Sequence, residues 1–123
     1  MSAIRLPKGS DDEKKARKVA LVNATKHAIE IPFEVMQTAY DCYGLIDQMA
    51  EQGNPASVSD AGVGALCVHA AVHSAYLNVL INCADFSEKT YVDQMVTKAQ
   101  ALLARSSTQQ ADILKKVEKI IKS

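Results

Sequence analysis

The stretch SDAGVGALCVHAAVHSAYLNVLIN, residues 59–82, decides the fold class of this chain. A surface helix has one apolar stripe and a charged back, but this stretch carries no charged side chain between Asp60 and Asp85. We therefore predict one helix that is buried among other helices. Its histidines and asparagines make a membrane span the weaker interpretation. The sequence predicts an all-α, antiparallel helical bundle around a buried central helix (59–82), with no membrane as partner.

The length and the charge balance restrict the class of protein. A chain of 123 residues is enough for a single helical domain, 1–123, with a modest core. Its 14 basic residues are balanced by 14 acidic ones, and only 5% of the residues are aromatic. Phosphate binding needs a concentrated positive face, and single strands need stacking rings, so we expect no nucleic acid as partner.

The cysteines and the N-terminus indicate the compartment. Cys42, Cys67 and Cys83 form no C-x-x-C pair, and each lies in an apolar helical context. We expect them to be small buried hydrophobic residues in a reducing environment. The first ten residues lack the charged-then-apolar pattern of a signal peptide. These features favour a cytoplasmic location.

Further helices are predicted on both sides of the central stretch. Ser10 and Glu13 have the spacing of a capping box, which predicts a helix start there. Pro32 is expected to end or kink that helix, so that a second helix runs over residues 33–52. A long C-terminal helix is predicted from Phe86 onward. Because no further chain remains to cover its apolar seam, we expect this helix to mediate self-association.

Four polar residues of the central stretch are candidates for function. Asn78 and Asn82 lie four residues apart, and buried amides need hydrogen-bond partners, which are either protein groups or a ligand. Ser59 is the predicted N-cap of the helix, with Asp60 in its first turn as a dipole partner. The alternative is that this acidic helix start faces a pocket and positions a cationic or amine-bearing ligand.

His69 and His73 have the i, i+4 spacing that lets one helix face offer two metal ligands. A metalloprotease motif would need Glu where Ala70 stands, and no third ligand is evident. We therefore expect no metal, and we interpret the two histidines as core or interface residues. Neither has an orienting carboxylate at helical spacing.

Three segments, taken together, identify a family. They are RLPKGSDDEKKAR (5–17), GNPASVSD (53–60) and AYLNVLIN (75–82). In this order the chain resembles the formiminotetrahydrofolate cyclodeaminase and methenyltetrahydrofolate cyclohydrolase family. The resemblance implies an all-α homodimer that acts on a tetrahydrofolate derivative without cofactor or metal. It implies either hydrolysis of 5,10-methenyltetrahydrofolate to the 10-formyl form or cyclisation of a formimino group with loss of ammonia.

The resemblance also assigns roles to residues. It implies Asp60 as the catalytic candidate, and it implies Ser59, Asn78 and Asn82 as residues that line the folate pocket. Arg5 and Lys8 become partners for the glutamate carboxylates of folate, since basic side chains form strong hydrogen bonds with carboxylates.

The same resemblance locates the chain within the family's domain. It implies the C-terminal part of the cyclodeaminase/cyclohydrolase domain, because the family's usual proton acceptor precedes the R-L-P-K segment and here only four residues precede Arg5. We therefore expect the chain alone to be catalytically silent. Nothing in the sequence indicates an attached formiminotransferase domain, which favours the cyclohydrolase. The alternative is a non-catalytic helical dimerisation module derived from this family.

Overall fold

Three long helices make up the computed structural model, which describes residues 3–123. The helices are α1 (Asp11–Gln52), α2 (Val58–Cys83) and α3 (Lys89–Lys122), with 3₁₀ turns at Ala3–Arg5 and Pro55–Ser57. Among the described residues there is no strand. Short connections make neighbouring helices antiparallel. The predicted all-α bundle and its long C-terminal helix are confirmed, and α3 is unbroken for about 51 Å at a rise of about 1.5 Å per residue.

The two ends of α1 follow directly from the sequence. At the start, the Ser10 hydroxyl accepts a hydrogen bond from the backbone N–H of Glu13 at 3.1 Å, as the capping spacing predicts. At the end, the N–H of Gly53 donates to the carbonyl of Met49 at 2.9 Å. A Cβ atom at position 53 would run into that same carbonyl oxygen, which accounts for the glycine.

Pro32 does not end α1. The prediction of a second helix beginning at residue 33 is wrong, because α1 continues through this proline without interruption. Proline has no N–H, so it leaves the carbonyl of Ala28 without its usual partner within the helix. The side chain of Asn82 in α2 fills that position, with Nδ2 donating to the Ala28 oxygen at 3.0 Å. A neighbouring helix thus replaces the missing hydrogen bond.

The start of α2 differs slightly from the sequence prediction. The helix begins at Val58, so Ser57 occupies the N-cap position and its side chain makes no capping hydrogen bond. The prediction of Ser59 as N-cap is therefore wrong. Asn54 caps the preceding 3₁₀ turn instead, through a hydrogen bond from the N–H of Ala56 to its Oδ1 at 3.0 Å.

Only one side of α2 is buried. Its packed side consists mainly of small and β-branched residues, namely Val58, Ala61, Gly62, Ala65, Val72, Ala75 and Val79. The opposite side is exposed, and we call it the open face of α2: Val63, Leu66, Ala70, Ala71, Leu77 and Ile81. Ile81 is 71% exposed and Val63 is 57% exposed. The prediction that the central helix is buried is not confirmed, because α1 and α3 cover only one side of it.

The same segment is long and apolar enough to cross a membrane by length and composition alone. It spans Pro55–Cys83, and 22% of its most apolar window is buried. The central helix of a soluble bundle passes the same criterion. The absence of a membrane partner therefore stays a prediction.

The apolar seam of α3 is already covered. Its residues Met95, Ala99, Leu102, Ile113 and Val117 are all buried against α1 and α2. The prediction that this seam is left for self-association is thus wrong, since the chain folds back to cover it.

Of the three cysteines, Cys83 is buried as expected. The other two, Cys42 and Cys67, are exposed, which corrects the expectation that all three are buried.

Candidate functional site

The predicted site residues lie at opposite ends of α2. Ser59 and Asp60 are exposed in its first turn, and Asn78 and Asn82 are exposed in its last two turns. From Asp60 to Asn78 the helix rises about 27 Å, at about 1.5 Å per residue. A single chain therefore does not bring the acid and the asparagines together.

The end of α2 that carries Asn82 forms a shallow groove with the N-terminal segment. The groove has a volume of about 280 Å³ and is lined by Ala3, Ile4, Leu21, Ala24, Thr25, Ala28 and Asn82. Arg5 ends the 3₁₀ turn that contributes Ile4, and Lys8 lies in the following segment; both are exposed. Arg5 thus belongs to the Asn82 end of the molecule.

The side chains of Asn78 and Asn82 lie on the surface, and that of Asn82 bonds to α1. Asn82 donates Nδ2 to the Ala28 carbonyl, which leaves its Oδ1 as the free acceptor. Of the two possibilities that the sequence left open for this residue, a protein partner is therefore present. Both residues are exposed, so the prediction of two buried amides is wrong. They are exposed because α1 and α3 cover only one side of α2.

Asp60 stands apart from the inter-helix grooves. It is exposed in the first turn of α2, where a carboxylate interacts favourably with the helix dipole. It does not line the groove beside Asn82, nor the larger groove between α1 and α3. Within the described residues, Asp60 is a surface carboxylate.

The larger groove, of about 840 Å³, has walls of opposite charge. It is lined by Phe33, Glu34, Gln37, Thr38, Tyr40, Asp41, Lys98, Ala101, Leu102 and Arg105. Glu34 and Asp41 come from α1, whereas Lys98 and Arg105 come from α3. The guanidinium of Arg105 lies 4.9 Å from the ring centroid of Tyr40, in a cation–π contact. The mixture of signs leaves this groove without a net preference for an anion or a cation.

A buried polar network joins all three helices, and it was not predicted from the sequence as a unit. The Tyr43 hydroxyl lies 2.7 Å from Ser106 Oγ, and His69 Nδ1 lies 2.9 Å from the same oxygen. Tyr43 is 2% exposed and Ser106 is 0% exposed. Burial raises the pKa of the Tyr43 phenol, although the hydrogen bond to Ser106 acts in the opposite direction. The available signal was Ser106 itself, a polar residue in the apolar rhythm of α3.

The network lies where two apolar clusters meet, and Tyr43 is itself part of the second. One cluster contains Met36, Val72 and Leu102, and the other contains Ala65 and Ile113. In α2, His69 lies between Ala65 and Val72 along the chain, and in α3 Ser106 lies between Leu102 and Ile113. The network therefore marks the junction of the two halves of the core.

Among the described residues, the histidine pair belongs to no group of three side chains that could hold a metal ion. The ring centroids of His69 and His73 lie 5.9 Å apart. Within residues 3–123 there is no group of three or more His, Cys, Asp or Glu side chains that could hold a metal ion. The absence of a metal from the function stays a prediction.

The comparisons with known proteins give a consistent picture. The family model described as formiminotransferase-cyclodeaminase matches residues 1–101. A methenyltetrahydrofolate cyclohydrolase of Methylorubrum extorquens is 33% identical over 106 residues, which cover 86% of this chain and 51% of the relative. Formimidoyltransferase-cyclodeaminases of Gallus gallus and Rattus norvegicus are 36% and 30% identical, over 97% and 96% of this chain and 22% of each relative.

This chain thus spans about half the length of the cyclohydrolase and about a fifth of the two larger relatives. The family model covers most of it, and the similarity to these relatives extends over nearly all of it. The chain belongs to the formiminotransferase-cyclodeaminase family.

Proposed function

We propose that this chain is the C-terminal helical part of an enzyme that acts on a one-carbon derivative of tetrahydrofolate. The observation that carries the proposal is the family match over residues 1–101, together with a cyclohydrolase relative that aligns with 86% of the chain. Of the two reactions we favour the methenyltetrahydrofolate cyclohydrolase. This chain spans 51% of the relative with that name, which is a larger share than the 22% of the Gallus gallus cyclodeaminase. The proposed setting is the cytoplasm.

The proposed reaction is hydrolysis at one carbon, with proton transfers at the water oxygen and at N5. Water adds to the carbon that bridges N5 and N10 of 5,10-methenyltetrahydrofolate and loses a proton. The bond from that carbon to N5 then breaks as the new hydroxyl group gives up its remaining proton. N5 takes a proton, and the carbon becomes the carbonyl of the 10-formyl group. A positioned acid or base accelerates such steps by about two to four powers of ten. Asp60 is the one carboxylate of α2, and we propose that it assists these transfers together with the proton acceptor that the family places ahead of the R-L-P-K segment.

The proposed site also needs more protein than one copy of this chain. Asp60 is exposed, and about 27 Å of helix separates it from Asn78, so enclosing a substrate between them requires a second chain. We propose a homodimer in which the open faces of two α2 helices pack antiparallel around Ala70 and Ala71. These small residues permit close approach at the two-fold axis. The arrangement sets Asp60 beside Asn82 of the partner subunit.

In this arrangement Ser59 joins Asp60, while Asn78 and Asn82 contribute amide groups from the other end of the site. Arg5, near the Asn82 groove, and Lys8 are the proposed partners of the glutamate carboxylates of the folate.

The experiment follows the loss of 5,10-methenyltetrahydrofolate absorbance, and ammonia release from the 5-formimino form is assayed in parallel. We expect the 123-residue chain alone to be silent. Adding the family's segment that precedes the R-L-P-K position, as a separate polypeptide, should restore turnover. In the restored enzyme Asp60→Asn should lower the rate at least about a hundredfold. The matched control is Asp93→Asn, which removes an exposed carboxylate from α3.

Two outcomes would contradict this proposal. Robust turnover by the isolated chain that Asp60→Asn leaves unchanged would exclude Asp60 as the acid or base. Tight assembly with the added segment, but no folate binding and no turnover, would favour the non-catalytic helical dimerisation module instead.

A further inference from the structure

The network of Tyr43, Ser106 and His69 has one favourable direction of hydrogen bonding. If Tyr43 donates to Ser106 and Ser106 donates to His69 Nδ1, both buried hydroxyl hydrogens are used. If Nδ1 of His69 donates to Ser106 instead, one of the two hydroxyl hydrogens, that of Tyr43 or that of Ser106, has no acceptor among the described residues. A buried donor without an acceptor is strongly disfavoured. Nδ1 of His69 is therefore the acceptor, and the neutral imidazole carries its proton on Nε2.

His69 also borders a groove between α2 and α3. The groove has a volume of about 330 Å³ and is lined by His69, His73, Gln100, Leu103, Ala104 and Ser107. None of these six lining residues is acidic. Because Nδ1 of His69 is engaged with Ser106, Nε2–H is the group that remains for a ligand. The Gln100 amide and the Ser107 hydroxyl are further possible donors in the same groove.

We propose that this groove is a binding site for a carboxylate, with Nε2–H of His69 as its central donor. Hydrogen bonds from such groups to an ionised oxygen are stronger than those between neutral partners. A metal ion is the less suitable occupant, because a nitrogen that holds a proton has no lone pair to donate. The buried hydroxyls of Tyr43 and Ser106 support the site from the core, since they fix the tautomer of His69.

This site is separate from the proposed folate chemistry. His69 follows Asp60 by about two and a half helical turns, so it lies about 14 Å further along α2 and on the opposite side. The proposal therefore does not depend on Asp60 or on the open face of α2. It predicts a second ligand position in the same chain.

The first test is the tautomer of His69 in the 123-residue chain, read from long-range nitrogen–proton NMR correlations of the imidazole. We expect a proton on Nε2 and none on Nδ1 at a pH where the ring is neutral. A proton on Nδ1 would overturn the proposal. Because this measurement uses the unmodified chain, it does not depend on the folding of any variant.

The second test is titration with acetate, with acetamide as the uncharged probe of similar shape. We expect saturable shifts of the His69 and His73 ring signals with acetate only. His69→Leu should weaken acetate binding at least about tenfold, while His69→Gln, which keeps an amide donor, should retain part of the affinity. The matched control is His27→Leu, at an exposed position of α1.

Three results of the titration would overturn the proposal. These are equal shifts with acetate and acetamide, acetate binding that survives His69→Leu, or shifts that appear with zinc chloride but not with sodium acetate.

Discussion

Asn82 of α2 supplies the hydrogen bond that Pro32 removes from α1. The proline leaves the carbonyl of Ala28 without a donor, and Nδ2 of Asn82 donates to that oxygen at 3.0 Å. This pairing explains why α1 runs unbroken over 42 residues. Asn82, which the family resemblance implies as a pocket residue, therefore also has a structural role.

A double-mutant cycle tests this relationship. Asn82→Ala should lower the free energy of unfolding by about 0.5–1.5 kcal/mol, because the Ala28 carbonyl loses its partner. In a Pro32→Ala background, the new N–H at position 32 bonds to the same carbonyl, so the cost of Asn82→Ala should nearly vanish. Urea denaturation of the four proteins measures the coupling.

The matched control for this cycle is Asn78→Ala, which changes an exposed asparagine one turn earlier on α2. Its cost should be the same in the wild-type and the Pro32→Ala backgrounds. A cost of Asn82→Ala that is equally large in both backgrounds would contradict the pairing.

The buried polar network should make a measurable contribution to stability. Ser106→Ala leaves the Tyr43 hydroxyl without a partner in the core, which should cost about 1–3 kcal/mol in thermal or urea unfolding. Adding Tyr43→Phe removes that hydroxyl as well, so the double variant should be less destabilised than the sum of the two single variants. Ser107→Ala, at the adjacent exposed position, is the control and should change stability little.

The surface used for self-association can be distinguished from the core with two glutamate substitutions. Leu77 is 55% exposed on the open face of α2, whereas Leu102 is 7% exposed in the core. Leu77→Glu should keep the melting temperature of the monomer but abolish the proposed dimer in sedimentation. Leu102→Glu should destabilise the fold itself by about 3 kcal/mol or more, because it buries a charge. A wild-type monomer at micromolar concentration would count against the dimer.

The alkaline titration of Tyr91 should depend on Glu30. Burial and the hydrogen bond from its hydroxyl to the Glu30 carboxylate, at 3.1 Å, raise the pKa of Tyr91 from 10.0 to about 12. Above pH 10 the unfolded chain loses this proton while the folded chain keeps it, so stability is lost as the pH rises towards 12. Tyrosinate absorbance, compared between wild type and Tyr91→Phe, should show a phenol that titrates near 12.

Glu30→Gln provides the complementary measurement. It removes the carboxylate that disfavours ionisation of Tyr91, so the pKa of this phenol should fall. An unchanged titration in Glu30→Gln would show that burial alone raises the pKa.

Local patterns in the sequence predicted the helical segments and the start of α1, but not that α1 is a single helix. The three-four spacing of apolar residues predicts α3, and the spacing of Ser10 and Glu13 predicts the start of α1; both are confirmed. The three family segments indicated a membership that the comparisons confirm. The continuation of α1 through Pro32 could not be predicted, because the compensating donor, at Asn82, lies 54 residues beyond the carbonyl that it serves.

The sequence predicted which residue types belong to the candidate site, but not how these residues are arranged in space. The sequence by itself determined that α2 is a helix with an acid at one end, asparagines at the other and no charge between them, since helical periodicity is a local property. Only the tertiary structure decided which side of α2 is covered, and that Tyr43, Ser106 and His69 meet in the core. These contacts join residues far apart in the chain, and they depend on how the three helices pack against each other.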